Sequence, residues 1–307
     1  MKKKLKVFRE EAGSSIVLIG LAMLALITIM GLVIDGGSLF MTKSHLQKVA
    51  NAAALSGAQE LTTNETEVRN VVNKVLTEHT ELNTLEHVKI DMKDKIGVDL
   101  VKEVPLYFSS LFGKGAVPVK VHAAAEIGPM GEAVGVAPLG IDRSVNPQPY
   151  QEYTLKVGPH DNDTGFFGIL ALGGPGADTY KKNLRNGYEG SVKIGDIIET
   201  QTGNIAATRS IINDLVNQCT VTEEEMKDGA NPRDCERILL IPIYDPEDDD
   251  QNQLKSIKIV GFAHFYITEP IDKHSDEIKG IFVSKTDTGF IDNTIEDFGA
   301  YAIRLTE

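Results

Sequence analysis

The chain has 307 residues, 42% of them hydrophobic and 24% charged, enough for one large or two ordinary domains with a real core. Its formal net charge is −13, although Met1–Glu10 carries five lysines or arginines against Glu10 alone. So acidic a body excludes nucleic acid as its partner and leaves a small basic tip in front.

From Ala12 to Ile34 there is no charged residue. Its apolar part, Ile16–Ile34, would make roughly 28 Å of helix at about 1.5 Å per residue, close to the ~30 Å hydrocarbon core of a bilayer. The positive-inside rule then keeps the N-terminus in the cytoplasm and sends the acidic body across, because only Lys43 and Lys48 follow closely. A cleavable signal peptide is the competing reading. Asp35-Gly36-Gly37 is a poor small-x-small cleavage site, however, and Glu10 and Glu11 precede Gly13 instead of following it as a type IV prepilin site requires. An uncleaved signal anchor is expected.

Helix is expected to be interrupted at Asp35-Gly36-Gly37 and then to resume. Leu46, Ala50, Ala53, Gly57 and Leu61 recur at helical spacing and make a narrow face of small residues. Such faces let two helix backbones approach closely, so packing against another helix is expected. A second helix follows, with Asn64 as N-cap and Glu67 in capping-box position. Period-two alternation in VKIDM, IGVDLV and VPVKVHAAAEI predicts strands, with LYFSSLFG a short helix or turn between the last two. Glycine and proline become frequent near residue 130, where a boundary is expected. Beyond it, GFFGILALGG and SVKIGDIIET read as strands, and IAATRSIINDLVNQ and TEEEMKDG as helices, the latter capped by Thr222. RILLIPIYD and SIKIVGFAHFYIT read as a strand pair, followed by the late strands GIFVS and AYAIRLT. The division is thus 1–11 basic cytoplasmic tip, 12–61 transmembrane and pilin-like helix, 62–130 small α/β region and 131–307 β-rich exported domain. The fold class is α+β, mostly antiparallel.

Catalytic and nucleotide signatures are missing: no GxSxG, HExxH, Walker A loop or GxGxxG fingerprint occurs. No catalytic residue, cofactor or metal site is assigned, and no enzyme activity is expected. The histidines are scattered, and His264 within GFAHFYI reads as a structural strand residue. Asp248, Asp249 and Asp250 are weak calcium candidates in YDPEDDDQNQ, where a solvated acidic hairpin tip needs no ligand. HDNDTG lacks the glycine and glutamate positions of a calcium loop, and ALGGPGAD is a glycine-rich turn without a phosphate-binding lysine. On the exported side of a membrane, Cys219 and Cys235 read as a disulfide, with two free buried thiols as the alternative.

The run GLVIDGGSLFMTKSHLQKVANAAALSGAQEL resembles the N-terminal segment of TadE/TadG-like Flp pilus-assembly proteins. The resemblance is carried by Glu11 and Gly13 before the span, then Asp35, Gly37, Leu46, Gln47, Asn51, Ala53, Ala54 and Leu55. Asn51 stands where the family commonly has Asp. More loosely, LYFSSLFGKGAVPVKVHAAAEIG, the Cys219/Cys235 region and IVGFAHFYI are similar to features of longer Gram-positive members. The resemblance implies a membrane-anchored, non-enzymatic component of the tight-adherence machinery. Its partners would be the lipid bilayer and other Tad pilus-assembly or pilin-like proteins, this chain included. A surface-anchored or secreted binding module for calcium, glycan or protein, unrelated to pili, is the alternative.

Overall fold

A computed structural model describes residues 12–113, 115–157, 166–201, 205–246, 255–275 and 277–306. It opens with one helix, α1 (Ala12–Ala58), 47 residues and so about 70 Å long at ~1.5 Å per residue. The expected interruption at Asp35-Gly36-Gly37 does not occur; α1 runs through it. Glycine costs a helix interior about 1 kcal/mol relative to alanine, and aspartate competes for nearby backbone groups. Here tertiary contacts override both effects. The Asp35 carboxylate is taken up by the distant segment Tyr107–Ser109, and the helix beyond it is clamped by packing.

α2 (Glu65–Glu78) crosses α1 and buries Val68, Val72 and Leu76. Asn64 caps it, its side chain accepting from the Glu67 N–H at 3.0 Å. The Glu67 carboxylate accepts from the Asn70 amide at 3.4 Å, so the capping arrangement runs in one direction. β1 (Leu85–Asp91), β2 (Lys95–Pro105) and β3 (Ala116–Ala133) then form an antiparallel meander. One face of it, including Ile96, Val98, Leu100, Val121, Ala123 and Ala125, is buried beneath α1 and α2. LYFSSLFG forms a single 3₁₀ turn at Ser109–Phe112, at the tip between β2 and β3. β3 is longer than its alternation predicts and passes residue 130 without a break.

The chain continues through β4 (Leu139–Asp142), β5 (Glu152–Val157), β6 (Phe166–Ile169), α3 (Ala177–Asn186), β7 (Val192–Lys193) and β8 (Ile197–Glu199). Next come α4 (Ile205–Gln218), α5 (Glu223–Lys227), β9 (Ile238–Pro246), β10 (Ser256–Ile267) and β11 (Glu277–Val283). β12 (Lys285–Asp287), β13 (Gly289–Ile291) and β14 (Ala300–Leu305) end it. The strand expected over GFFGILALGG stops at Ile169. SVKIGDIIET is split into β7 and β8 by a turn in which Gly195 takes φ +89°, a conformation that suits glycine. α4 lies where IAATRSIINDLVNQ was expected, and Thr222 closes a full capping box with Glu225 at α5.

Among the described residues the strands make two sheets. The first runs β1-β2-β3-β14-β12, with β13 and β7 also paired to β3. The second runs β11-β5-β6-β4-β9-β10-β8, and β10 also pairs with β11, so the pairing closes into a ring. β5/β6, β4/β9 and β12/β14 are parallel pairs and the rest are antiparallel, which makes the α+β body mostly antiparallel. One core lies between the ring and helices α3 and α4, around Ile141, Ile241, Phe265, Leu184 and Ile212. Another fills the space between the sheets, where Met130 and Ala133 of β3 meet Tyr244, Ile259 and Phe262. β3 therefore belongs to the packing of both halves.

Candidate functional site

The segment from Ser15 onward is long and apolar enough to cross a membrane. Its side chains from Ile16 to Ile34 stand away from the body; Leu24 is 66% exposed. The same helix behaves differently beyond Asp35. Leu46, Ala50, Ala53 and Leu61 are completely buried. A Cβ at Gly57 would come within 2.7 Å of Ile96 Cδ1 and 2.9 Å of Val72 Cγ2. The helix that meets this face is α2 of the same chain, and the β2–β3 sheet covers it as well. Small side chains do permit close approach, but the surface that approaches is the chain's own.

The other motif residues lock the helix to that body. Asp35, only 3% exposed, accepts from the backbone N–H groups of Tyr107 (2.9 Å), Phe108 (3.1 Å) and Ser109 (2.7 Å) and from the Ser109 hydroxyl (2.8 Å). It thus satisfies the free donors at the start of the 3₁₀ turn, as a capping side chain would, but from 72 residues away in sequence. One turn earlier, the Phe108 ring occupies the space a side chain would take at Gly31. Gln47 donates to the Asn51 side chain (2.9 Å) and to the His122 carbonyl on β3 (2.7 Å). Asn51 therefore works through a neutral hydrogen bond rather than an ion pair. His122 Nδ1 in turn lies 2.7 Å from Asp99 on β2. Ala54 is buried and Leu55 partly so; Gly13 and Gly37 lie within α1, Gly37 with no neighbour against it. Glu11 lies outside the described residues.

Residues 13–60 match the family described as "Putative Flp pilus-assembly TadE/G-like". The match coincides with α1 and the turn that ends it. No curated protein and no solved structure matches the chain.

The far end of the Tad-like segment is joined to the C-terminal half by a buried polar cluster. The Gln59 carbonyl accepts from the Asn231 side chain (3.0 Å) and the Thr286 hydroxyl (2.9 Å), and Asn231 also donates to Glu60 (3.1 Å). Lys285 donates to the Pro232 carbonyl at 3.1 Å, and burial pushes its amine below the usual lysine value. Next to this cluster His264 is fully buried in β10, and burial holds its ring below the ordinary histidine value. Its Nε2 is 3.7 Å from Asp287, beyond hydrogen-bond length, and neither ring nitrogen has a hydrogen-bond partner among the described residues. Asp287 is held below the usual carboxylate value: burial raises it, but the His264 ring and the Thr288 N–H outweigh that. Of the two strand placements open to His264, inward or at an edge, it takes the inward one.

Cys219 and Cys235 form the disulfide, tying the end of α4 to the approach to β9 and packing against Met226 and Tyr266. The calcium candidates Asp248, Asp249 and Asp250, and HDNDTG, lie outside the described residues. Asp245 faces Arg143 at 3.5 Å, and Arg143 also holds Glu296 at 2.8 Å. Among the described residues no cluster of His, Cys, Asp or Glu has the makings of a metal site. ALGGPGAD borders an open cleft whose described lining contains Asp196 and Glu199 but no lysine or arginine, a poor setting for phosphate.

Sequence reading missed the clamp. Its available signals were a single carboxylate directly after the apolar run and a charge-free hairpin tip with Ser109-Ser110 opening a turn.

Proposed function

We propose that this chain is a non-enzymatic, membrane-anchored component of Flp, or tight-adherence, pilus assembly. It sits with its N-terminus in the cytoplasm and an acidic, disulfide-closed body outside. The observation that carries the reading is the coincidence of the Tad match, residues 13–60, with one continuous helix of two characters. Its first half exposes large apolar side chains from Ile16 to Ile34, and its second half is an integral part of the body. The body is read as a small α/β part, 62–130, and a β-rich part, 131–307, that share β3.

Because the small-residue face is already covered, association with other pilin-like proteins, or with a second copy, falls to the exposed half of α1. Single cysteines test this in the native background, since both natural cysteines are engaged in the disulfide. Cysteines across Ile16–Ile34 should crosslink periodically in membranes, and Ala53→Cys should not. Crosslinking through Ala53 with the body folded would return the interface to the small-residue face. Labelling of Lys181→Cys, but not Ser14→Cys, by a membrane-impermeant reagent in intact cells is expected; the reverse pattern would invert the topology.

A further inference from the structure

The helix leaves the apolar run at Asp35, yet the body does not start at a distance from it. β2, 11 residues long, extends about 36 Å at ~3.3 Å per residue. α1 covers a similar ~35 Å from Asp35 to Ala58. The β2–β3 hairpin therefore reaches back along α1 to the point where the apolar run ends. Leu106 N–H donates to the Gly115 carbonyl at 3.0 Å and closes the hairpin. Everything from Tyr107 to Gly113 projects beyond that closure, towards the apolar half of α1. Asp35 pins the projection in place, and Phe108 packs on Gly31, three residues inside the apolar run.

The composition of this projection is unusual for a loop on an acidic body. No charge occurs from Leu106 to Gly113. Tyr107, Leu111 and Phe112 are 68%, 78% and 75% exposed. Large apolar side chains left in water at the tip of a hairpin call for a partner. Their level along α1 names it, because Gly31 lies about 4.5 Å inside the end of the span at ~1.5 Å per residue. Any bilayer that accommodates Ile16–Ile34 has its interfacial layer at this tip, where aromatic side chains are favoured. A second protein would have to enter the same layer to reach it.

We propose that the Tyr107–Gly113 tip is a second membrane contact: it inserts its aromatic and aliphatic side chains into the interfacial layer of the lipid bilayer beside α1. The body is then held at two points, and its tilt and rotation about the membrane normal are fixed rather than free. Asp35 is the positioning residue of this contact, since it shapes the tip without touching lipid. The inference rests on the membrane-anchored reading above.

The protein contains no tryptophan, so one introduced residue reports alone. Full-length Leu111→Trp, reconstituted in phosphatidylcholine vesicles, is compared with Lys181→Trp on the exposed side of α3, and flotation with the vesicles checks the anchor separately. Leu111→Trp should emit at shorter wavelength than Lys181→Trp and lose intensity when the lipid carries bromine on shallow acyl carbons; Lys181→Trp should not. Tyr107→Trp gives a second reporter if the first disturbs the tip. Adding Asp35→Ala should reduce the quenching at 111 while flotation persists. Vesicle-bound protein in which both tip reporters remain unquenched would overturn the proposal. So would a blue shift that depends on protein concentration and not on brominated lipid, which would mean a protein partner. Failure to float would overturn the anchored reading along with it.

Discussion

The two halves of α1 are built from the same backbone hydrogen bonds but meet different surroundings. From Ile16 to Ile34 the helix exposes bulky apolar side chains and meets the protein near its end, where the Phe108 ring lies on Gly31. From Leu46 to Ala58 its inward face turns to alanine and glycine with Leu46 and Val49, because a folded sheet and α2 press against it. Lipid accepts any apolar surface and makes no demand on shape, so the inner half is free in detail. Protein interiors are close-packed, so each position on the buried face of the outer half is constrained to within a methyl group. A small-residue stripe can therefore mark a surface that is already occupied as readily as one awaiting a partner.

The largest expected effect comes from breaking the outer half. Ala53→Leu with Gly57→Leu should overpack the contact with Val72 and Ile96 and destabilise the body by about 4 kcal/mol, taking the middle of the usual range at two sites. Chemical unfolding of the detergent-solubilised chain reads this; Leu24→Ala in the inner half should leave the same transition unmoved. Equal effects at both sites would erase the distinction.

Replacing Cys219 and Cys235 with serine comes next. The bridge spans a sequence separation of 16, and its loss should cost about 3 kcal/mol in the chain-entropy account. The transition of the body should fall, while hydrogen exchange within α1 from Ile16 to Ile34 stays unchanged. A change there would mean that the inner half depends on the body after all.

Asp35→Ala sits on the boundary between the halves. It strips a charged acceptor from three backbone N–H groups, worth about 2 kcal/mol. Faster amide exchange should be confined to Tyr107–Ser109 and to α1 near Gly36 and Gly37, where the helix would then be free to break. Unchanged exchange at Gly36 and Gly37 would show that the helix is continuous without its clamp.

The smallest effect is one of pH, at the joint between the end of α1 and β12. His264 is buried and its ring is held below the ordinary histidine value. The unfolded chain therefore binds the proton first, and stability falls as pH drops below about 6.5. Asp287, also held low, adds a loss of the same sign only further down, as pH passes below the usual carboxylate range. Urea midpoints should decline from pH 7 to pH 5, and His264→Gln should flatten that decline. A midpoint that holds steady in the unaltered chain would show that the joint accepts the proton at no cost.

Much of this molecule was legible in short stretches. The charge-free length of Ile16–Ile34, the Asn64 cap, helix α4, the β9–β10 pair and the disulfide partners follow from neighbouring residues or from a count of two cysteines. Helical and strand periodicity, capping and loop closure are local physics, and a local reading captures them. β4, β5, β12 and β13 were passed over because each is short and is held by pairing with strands elsewhere in the chain, and α3 because it is a short helix held by packing beside α4.

What tertiary structure decided is where those pieces meet. Asp-Gly-Gly looks like a helix break until Tyr107–Ser109 takes up the carboxylate. The Leu46–Leu61 face looks unpartnered until Val72, Ile96 and Ala123 close over it. β3 looks as though it should stop near residue 130 until β13 and β7 pair with its last residues, Met130 to Ala133, from farther along the chain. The sequence by itself determined that there is a membrane-length apolar helix, a small-residue continuation and an acidic, mostly antiparallel body. Only the fold decided that the continuation belongs to the body, because which surface buries a face depends on residues that are distant in sequence and adjacent only in space.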